Sequence, residues 1–262
     1  MRLQVLSDLH FESEAFDPEP APGAELLVLA GDIDSRWTAL DRFAHWPRPV
    51  IFVAGNHEFD GRDLDEAWPA LRRHCEKRSI VLLEQESRVV VDAEGARIRF
   101  VGTTRWPDFD LFGAAGRAKA MRAAGYYLGL MQARRAGRPF DAEAMREEGL
   151  AARAWLHAEL TRPGGDWDRT VVVTHFGPSV RSADPRYGAQ AGTASFCNAD
   201  DDLLPRAGLW IHGHLHCAHD YRVVHPSTGP GRVAETRVVC NPRGYERKGE
   251  TAGHRPRLVL DA

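Results

Sequence analysis

An α/β fold, one domain carrying an insertion, is what this sequence predicts, and three features predict it. Short β-rich runs recur along the chain, stretches with apolar residues at three- and four-residue intervals lie between them, and five of the runs stop at clusters of small and polar residues. With 262 residues and 43% hydrophobic side chains, the chain can bury an ordinary core.

The runs Leu3 to Leu6, Leu26 to Ala30, Val50 to Val53, Val171 to Thr174 and Leu209 to Ile211 read as buried strands. They are followed by SDLH, GDID, GNHE, THFGP and HGHLH. In open α/β sheets the reactive crevice lies beyond the carboxyl ends of strands, so polar residues gathered there signal function rather than packing. Trp37 to His45 and Asp63 to Arg78 have helical periodicity. Val89 to Val91 and Ile98 to Val101, joined through Asp92-Ala-Glu-Gly95, predict a hairpin, and Tyr221 to Val224 with Thr236 to Cys240 predict a second antiparallel pair. From Arg105 to about Leu160 the chain is rich in Ala and Arg and reads mostly as helices, an insertion expected to cover the site as a lid. PEPAPG at Pro18 to Gly23 and STGPG at Ser227 to Gly231 read as surface loops.

A formal net charge of -3 argues against a protein that coats nucleic acid through bulk electrostatics. No apolar stretch approaches the roughly 20 residues needed to span a bilayer. The opening MRLQVLSDLH lacks the long apolar region and small-residue cleavage site of a secretory signal. Cys75, Cys197, Cys217 and Cys240 form no CxxC pair, so a cytoplasmic protein with reduced thiols is expected.

Asp8 and His10 lie two residues apart just after a strand, which points both side chains the same way if extended geometry persists. Asp32 follows Gly31, where glycine lets the backbone turn and a carboxylate project, and its two oxygens can bridge two cations. Asn56 and His57 follow Gly55 in the same manner, an amide oxygen suited to a hard cation beside an imidazole suited to Zn, Fe or Mn. His175 ends the run Val-Val-Val-Thr. Of His212, His214 and His216, at least two are expected to bind metal, and His212 is expected to face the other way as a structural residue. Taken singly, the residues before His212 read more readily as turn formers, helix caps or a core histidine, and the alternating histidines at 212, 214 and 216 are less ambiguous. Their accumulation at five strand ends carries the functional reading.

In that order Asp8-x-His10, Gly31-Asp32, Gly55-Asn56-His57-Glu58, His175 and Gly213-His214-x-His216 resemble the calcineurin-like metallophosphoesterase superfamily. Arg105-Trp106 and Asn241-Pro-Arg-Gly-Tyr245 resemble one bacterial branch of uncharacterised phosphohydrolases within it. The resemblance implies a four-layer sandwich of two mixed β-sheets flanked by helices, with residues 1–262 as a single domain and the helical lid at about 105–160. It implies one metal on Asp8, His10, Asp32 and His216, and another on Asp32, Asn56, His175 and His214, with Asp32 bridging. His57 matches the family's non-ligand catalytic histidine. Mixed N and O ligands suit two transition metals among Mn, Fe, Zn and Ni, which together activate a water for attack on phosphorus.

The implied activity is hydrolysis of a small-molecule phosphoester, with a phosphodiesterase on a small or nucleotide-like substrate favoured, because His57 is retained and no matched pair of phosphate-clamping arginines adjoins the motifs. A phosphomonoesterase, a nuclease and a catalytically silent scaffold of the same fold are the alternatives. Two positions depart from the pattern. Asp34 stands two residues after Asp32 where the family often has an aspartate at three, and Phe176 stands where a second histidine often follows His175, which suggests a changed outer wall. Arg105, Trp106 and Arg181 are weighed as substrate contacts against surface arginines and a packed tryptophan. Cys197 and Asn198 are candidate pocket residues, and Arg134 to Arg138 is read as a solvated helix end.

Overall fold

The computed structural model describes residues 1–226, 229 and 231–262. Ser227, Thr228 and Pro230 of the predicted STGPG loop lie outside the described residues. One sheet is built from β1 (Arg2–Leu6), β2 (Leu26–Ala30), β3 (Val50–Val53), β4 (Ile80–Leu82) and β13 (Val259–Asp261), in the order β13-β1-β2-β3-β4. Only β13 runs antiparallel to its neighbour. The other comprises β5 (Glu86–Val91), β6 (Arg97–Thr103), β9 (Arg169–Thr174), β10 (Leu209–His212), β11 (His219–Val224) and β12 (Glu235–Cys240), in the order β11-β12-β10-β9-β6-β5. Its four central strands are parallel and its two edges antiparallel.

Alternation along the strands separates the layers. Leu26, Val28 and Ala30 of β2 join Ile51, Val53, Phe100, Val173 and Ile211 in the core between the sheets. Leu27 and Leu29 turn to the opposite face and meet Leu71 and Cys75 of α1 (Leu64–Glu76). All of β2 is therefore buried, as expected for a parallel strand covered on both sides. Behind the second sheet, Val101, Val172, Trp210 and Val238 pack on Leu156 and Leu160 of α3 (Ala142–Thr161). The result is the α/β sandwich of two mixed sheets flanked by helices that the resemblance implies. Between β6 and β9 the chain forms α2 (Ala114–Met131), the two-stranded hairpin of β7 (Arg134–Arg135) and β8 (Arg138–Pro139), and α3. Among the described residues no helix is long and apolar enough to cross a membrane.

Some local expectations change. Trp37 to His45 forms only a six-residue 3-10 segment, Thr38–Phe43, entered through a left-handed Trp37 and followed closely by Pro47 and Pro49. Arg134 to Arg138 is not a helix end. Ala136 and Gly137 both have positive φ, 51° and 75°, the backbone of a tight hairpin turn, and their N–H groups bond Asp65 and Asp63. The three-residue strands β4 and β13 are too short to show a pattern in the sequence.

Arg105 is neither a surface arginine nor a substrate contact. It is fully buried, forks onto Asp200 with two 2.9 Å bonds, reaches Asp108 at 2.8 Å, and donates to the carbonyls of Trp106 and Gly149. Trp106 is packed in the core. Asn198 braces the same network, donating to the Arg105 carbonyl and accepting from the Asp108 N–H, and Cys197 beside it is buried. Arg181 lies on the surface.

Removing the Arg105 guanidinium would strand buried carboxylates, so Arg105→Met is expected to lower the unfolding free energy by about 3 kcal/mol. Denaturant titration checks this, and an unchanged midpoint contradicts it.

Candidate metal centre

Residues after β1, β2, β3, β9 and β10 meet at one edge of the sandwich. Extended geometry does not bring them there. Asp8, His10, Asp32, His214 and His216 all adopt left-handed backbone, with φ of 53°, 47°, 53°, 70° and 47°. Each such residue costs on the order of 1 kcal/mol or more, although Asp and His tolerate the region better than most. His212 does face away, but strand alternation is not the reason, since it would set residues 212, 214 and 216 on one side. His212 ends β10 with Nε2 at 2.9 Å from Ser182 Oγ, and the chain then turns left-handed to bring His214 and His216 inward.

Small residues leave room for this convergence. A Cβ on Gly31 would overlap the His175 ring, and one on Gly55 would overlap the Asp32 carboxylate. One on Gly213 would sit 2.7 Å from Asp8 Oδ2. Of the three, only Gly31 also has positive φ, at 89°.

Two clusters of ligand-type atoms result, Asp8 with His10 and His216, and Asp32 with His175 and His214. His10 and His57 also gather with Asp32, so the two clusters adjoin through that carboxylate. In the first, His10 Nδ1 is 3.0 Å from Glu12 Oε1 and His216 Nδ1 is 2.6 Å from Glu250 Oε2. Both outer nitrogens therefore carry the proton that a carboxylate accepts, which leaves the two Nε2 atoms facing each other at 2.9 Å. Asp8 Oδ1 lies 3.5 Å from His216 Nε2, and Asp8 Oδ2 is buried with no hydrogen-bond partner.

In the second cluster His175 Nδ1 bonds the Ala30 carbonyl at 2.9 Å, and its Nε2 lies 3.2 Å from both Asp32 Oδ2 and Asn56 Oδ1. These are lone pairs aimed at common points. A proton or a cation must lie between them, and two ligand atoms each about 2.1 Å from one ion at a right angle stand ~3 Å apart. The donor set and its spacing thus fit metal ions.

The charges of these side chains compensate one another. Burial alone would raise Asp32, but the nearby histidines, His175 first, hold its carboxyl well below the usual range. Burial opposes protonation of His175 while Asp32 favours it, and the balance lifts it to about 9. His57 is likewise opposed by burial and supported by Asp32 and Asp60, which carry it to about 10. Burial holds His214 well below its ordinary value and pushes His212 down to about 3. His57 bonds Asp60 Oδ2 through Nδ1 at 2.7 Å, and its backbone N–H bonds Asp32 Oδ1 at 2.8 Å.

Glu12, Glu250 and Asp60 carry no signal of their own in the sequence, and Tyr245 is marked there only as the end of the Asn241-Pro-Arg-Gly-Tyr245 run. Glu12, Glu250 and Asp60 orient His10, His216 and His57, and Tyr245 stacks on His10 with ring centroids 4.4 Å apart. Glu58 stands within a recognised motif, yet its role emerges only in three dimensions. Fully buried, it accepts N–H bonds from Asp32 at 3.0 Å, Ile33 at 2.8 Å, Asp34 at 3.3 Å and Gly55 at 2.6 Å. It thereby ties the turn after β2 to the turn after β3, while burial and the Asp32 charge push it up to about 7. Asp34 caps its own turn, accepting from the Arg36 and Ala39 N–H groups and the Thr38 hydroxyl. Phe176 is not an outer wall: it is buried between Trp106 and His214, 4.1 Å from the latter ring.

The calcineurin-like phosphoesterase family profile matches residues 1–218. No curated protein sequence matches the chain. Among solved structures, the chain is similar to the crystal structure of phosphopantetheinyl hydrolase (PptH) from Mycobacterium tuberculosis, with 21% identity and a TM-score of 0.66 over 95% of this chain and 92% of that one. That likeness shows the shared fold.

In Glu58→Gln the amide NH2 must face backbone N–H groups whichever way it is turned. A loss of roughly 2 to 4 kcal/mol in unfolding free energy is expected, read by denaturant titration. Wild-type stability in that variant contradicts the bracing role.

Proposed function

This chain belongs to the calcineurin-like phosphoesterase family, and we propose that it is a two-metal phosphoesterase, acting by preference on phosphodiesters of small or nucleotide-like molecules. The observation that carries the reading is the pair of adjoining clusters with facing lone pairs, Asp8, His10 and His216 on one side of Asp32 and His175 and His214 on the other. Asp8, His10, Asp32 and His216 would hold one ion, and Asp32, Asn56, His175 and His214 the other, drawn from Mn, Fe, Zn and Ni. When bound, such a pair neutralises charge on phosphoryl oxygens and lowers the pKa of water.

The protein's own residues do the rest. Asp32 lies against both clusters, where its carboxylate would serve both ions, and Glu58 fixes the turn that presents it. Asp60 engages Nδ1 of His57, so Nε2 is the atom left to give a proton to a departing alkoxide. The His57 side chain is one-third exposed, accessible to a substrate while still held by Asp60.

Two features favour a diester. Three arginines near the motifs are engaged elsewhere, Arg105 with Asp200, Arg62 over the Trp37 ring and Arg243 with Glu14, while Arg36 and Arg181 lie exposed. Next to His214, Phe196 lies at 5.0 Å, and Tyr127 of α2 lies 5.9 Å from Phe196, a row of rings suited to a second organic arm on phosphorus. The segment at about 105–160 contributes α2 to this side, and we read it as the source of specificity. The protein of like fold from Mycobacterium tuberculosis is by name a phosphopantetheinyl hydrolase, so a phosphopantetheinyl conjugate belongs among the substrates to test.

Metal-stripped protein reloaded with Mn²⁺ is expected to hydrolyse a chromogenic phosphodiester faster than the matching monoester. His57→Ala should keep two ions and lose roughly 10²- to 10⁴-fold in kcat, the usual contribution of a general acid, whereas Asp32→Ala should lose both ions. Preference for the monoester would redirect the assignment to a phosphatase, and full activity without metal would overturn it.

A further inference from the structure

The family profile ends at residue 218, yet one metal pocket is finished by residues beyond it. After β12 the chain returns to the end of β1: Arg243 N–H bonds the Ser7 carbonyl and Gly244 N–H bonds the Asp8 carbonyl. Tyr245 then lays its ring on His10, tilted 26° from parallel, with its hydroxyl 3.3 Å from His10 Nδ1. Glu250 closes the turn with one oxygen, Oε2, which accepts both the Tyr245 N–H at 2.9 Å and His216 Nδ1–H at 2.6 Å. Space for this is tight. A Cβ on Gly244, whose φ is 65°, would lie 2.8 Å from Glu250 Cβ and 3.2 Å from His216 Cβ.

We propose that Glu250 is a positioning residue for one of the two metal subsites only. It fixes the His216 ring and tautomer so that Nε2 faces Asp8 and His10, and it raises the basicity of that nitrogen as a ligand. The inference rests on the two-metal reading above and deepens it.

The asymmetry is visible in the partners of the other histidines. His175 is oriented by a backbone carbonyl, that of Ala30, and His214 is bordered by the rings of Phe176 and Phe196. Among the described residues, carboxylates back the histidines of the Asp8 pocket alone: Glu12 from the matched region, held in turn by the Ser35 N–H, and Glu250 from outside it. A carboxylate behind a metal-bound histidine typically contributes a factor of about 10 to 100 in metal affinity. In Glu250→Gln the carbonyl oxygen can still accept from His216, so orientation survives while the charge is lost. In Glu250→Ala both are lost.

The test is titration of metal-free full-length protein with Mn²⁺ against a chelating indicator, with bound metal counted by elemental analysis. Wild type is expected to bind two ions. Glu250→Gln should weaken one of them by about 10-fold and Glu250→Ala by up to about 100-fold, with the second ion unchanged. Two ions at wild-type affinity in both variants, or equal weakening of both ions, would overturn the proposal. Absence of metal binding by the wild type would instead sink the two-metal reading itself. A measurement that needs no variant is the ¹⁵N spectrum of the Zn²⁺-loaded wild type. His216 protonated at Nδ1 and shifted by metal at Nε2 is expected, and the opposite tautomer would contradict the role of Glu250.

Discussion

The carboxylates of Asp8, Asp32 and Glu58 are buried together at the edge where two sheets end, among the rings of His10, His175 and His214. Most of the local architecture answers that constraint. A buried carboxylate needs hydrogen-bond donors or positive charge, and the three obtain them differently. Glu58 takes four backbone N–H groups, Asp32 takes the His57 N–H and the histidines, and Asp8 takes the His214 N–H through one oxygen while the other has no partner. A bound cation would satisfy both the unpartnered oxygen and the facing imidazole nitrogens, which otherwise need a shared proton. On the proposed reading, metal affinity would follow from this arrangement rather than being added to it.

Conformational strain is the second consequence. Five of the seven proposed ligands occupy left-handed backbone, and the sandwich holds them there through parallel strands buried on both faces and through turns braced by Glu58, Asp34 and the segment after β12. The interior that supports them is ordinary: alternating Leu, Val and Ile between the sheets, with α1 and α3 outside. Strain at a rigid edge would keep the proposed ligands preorganised, so that little ordering would remain when an ion binds.

Much of this is legible in the sequence because its cause is local. Each ligand-type residue adjoins the strand that carries it, and the strands are continuous apolar runs, so five motifs and the α/β class can be read directly. What the sequence hides is either non-local or written in backbone angles. Glu250 is an ordinary residue of a polar loop, and Tyr245 only the end of a recognised run with no assigned role, until the chain folds back on His216 and His10. Convergence of Asp8 with His10 is readable, but the expected extended backbone is wrong, because spacing does not distinguish alternation from a left-handed turn. Arg105 resembles a surface or substrate-binding arginine, and only tertiary packing brings Asp200, distant in sequence, to its guanidinium. The Ala136-Gly137 turn inside an arginine-rich stretch is masked by composition that suits a helix.

On the proposed reading, the facing lone pairs astride Asp32 are two metal positions. A crystal structure of the protein grown with Mn²⁺, with anomalous scattering recorded at the metal edge, tests it most directly. The account predicts two peaks roughly 3.5 to 4 Å apart, one among Asp8, His10 and His216 and one among Asn56, His175 and His214, with Asp32 touching both. A single peak, or two peaks that do not share Asp32, would contradict it.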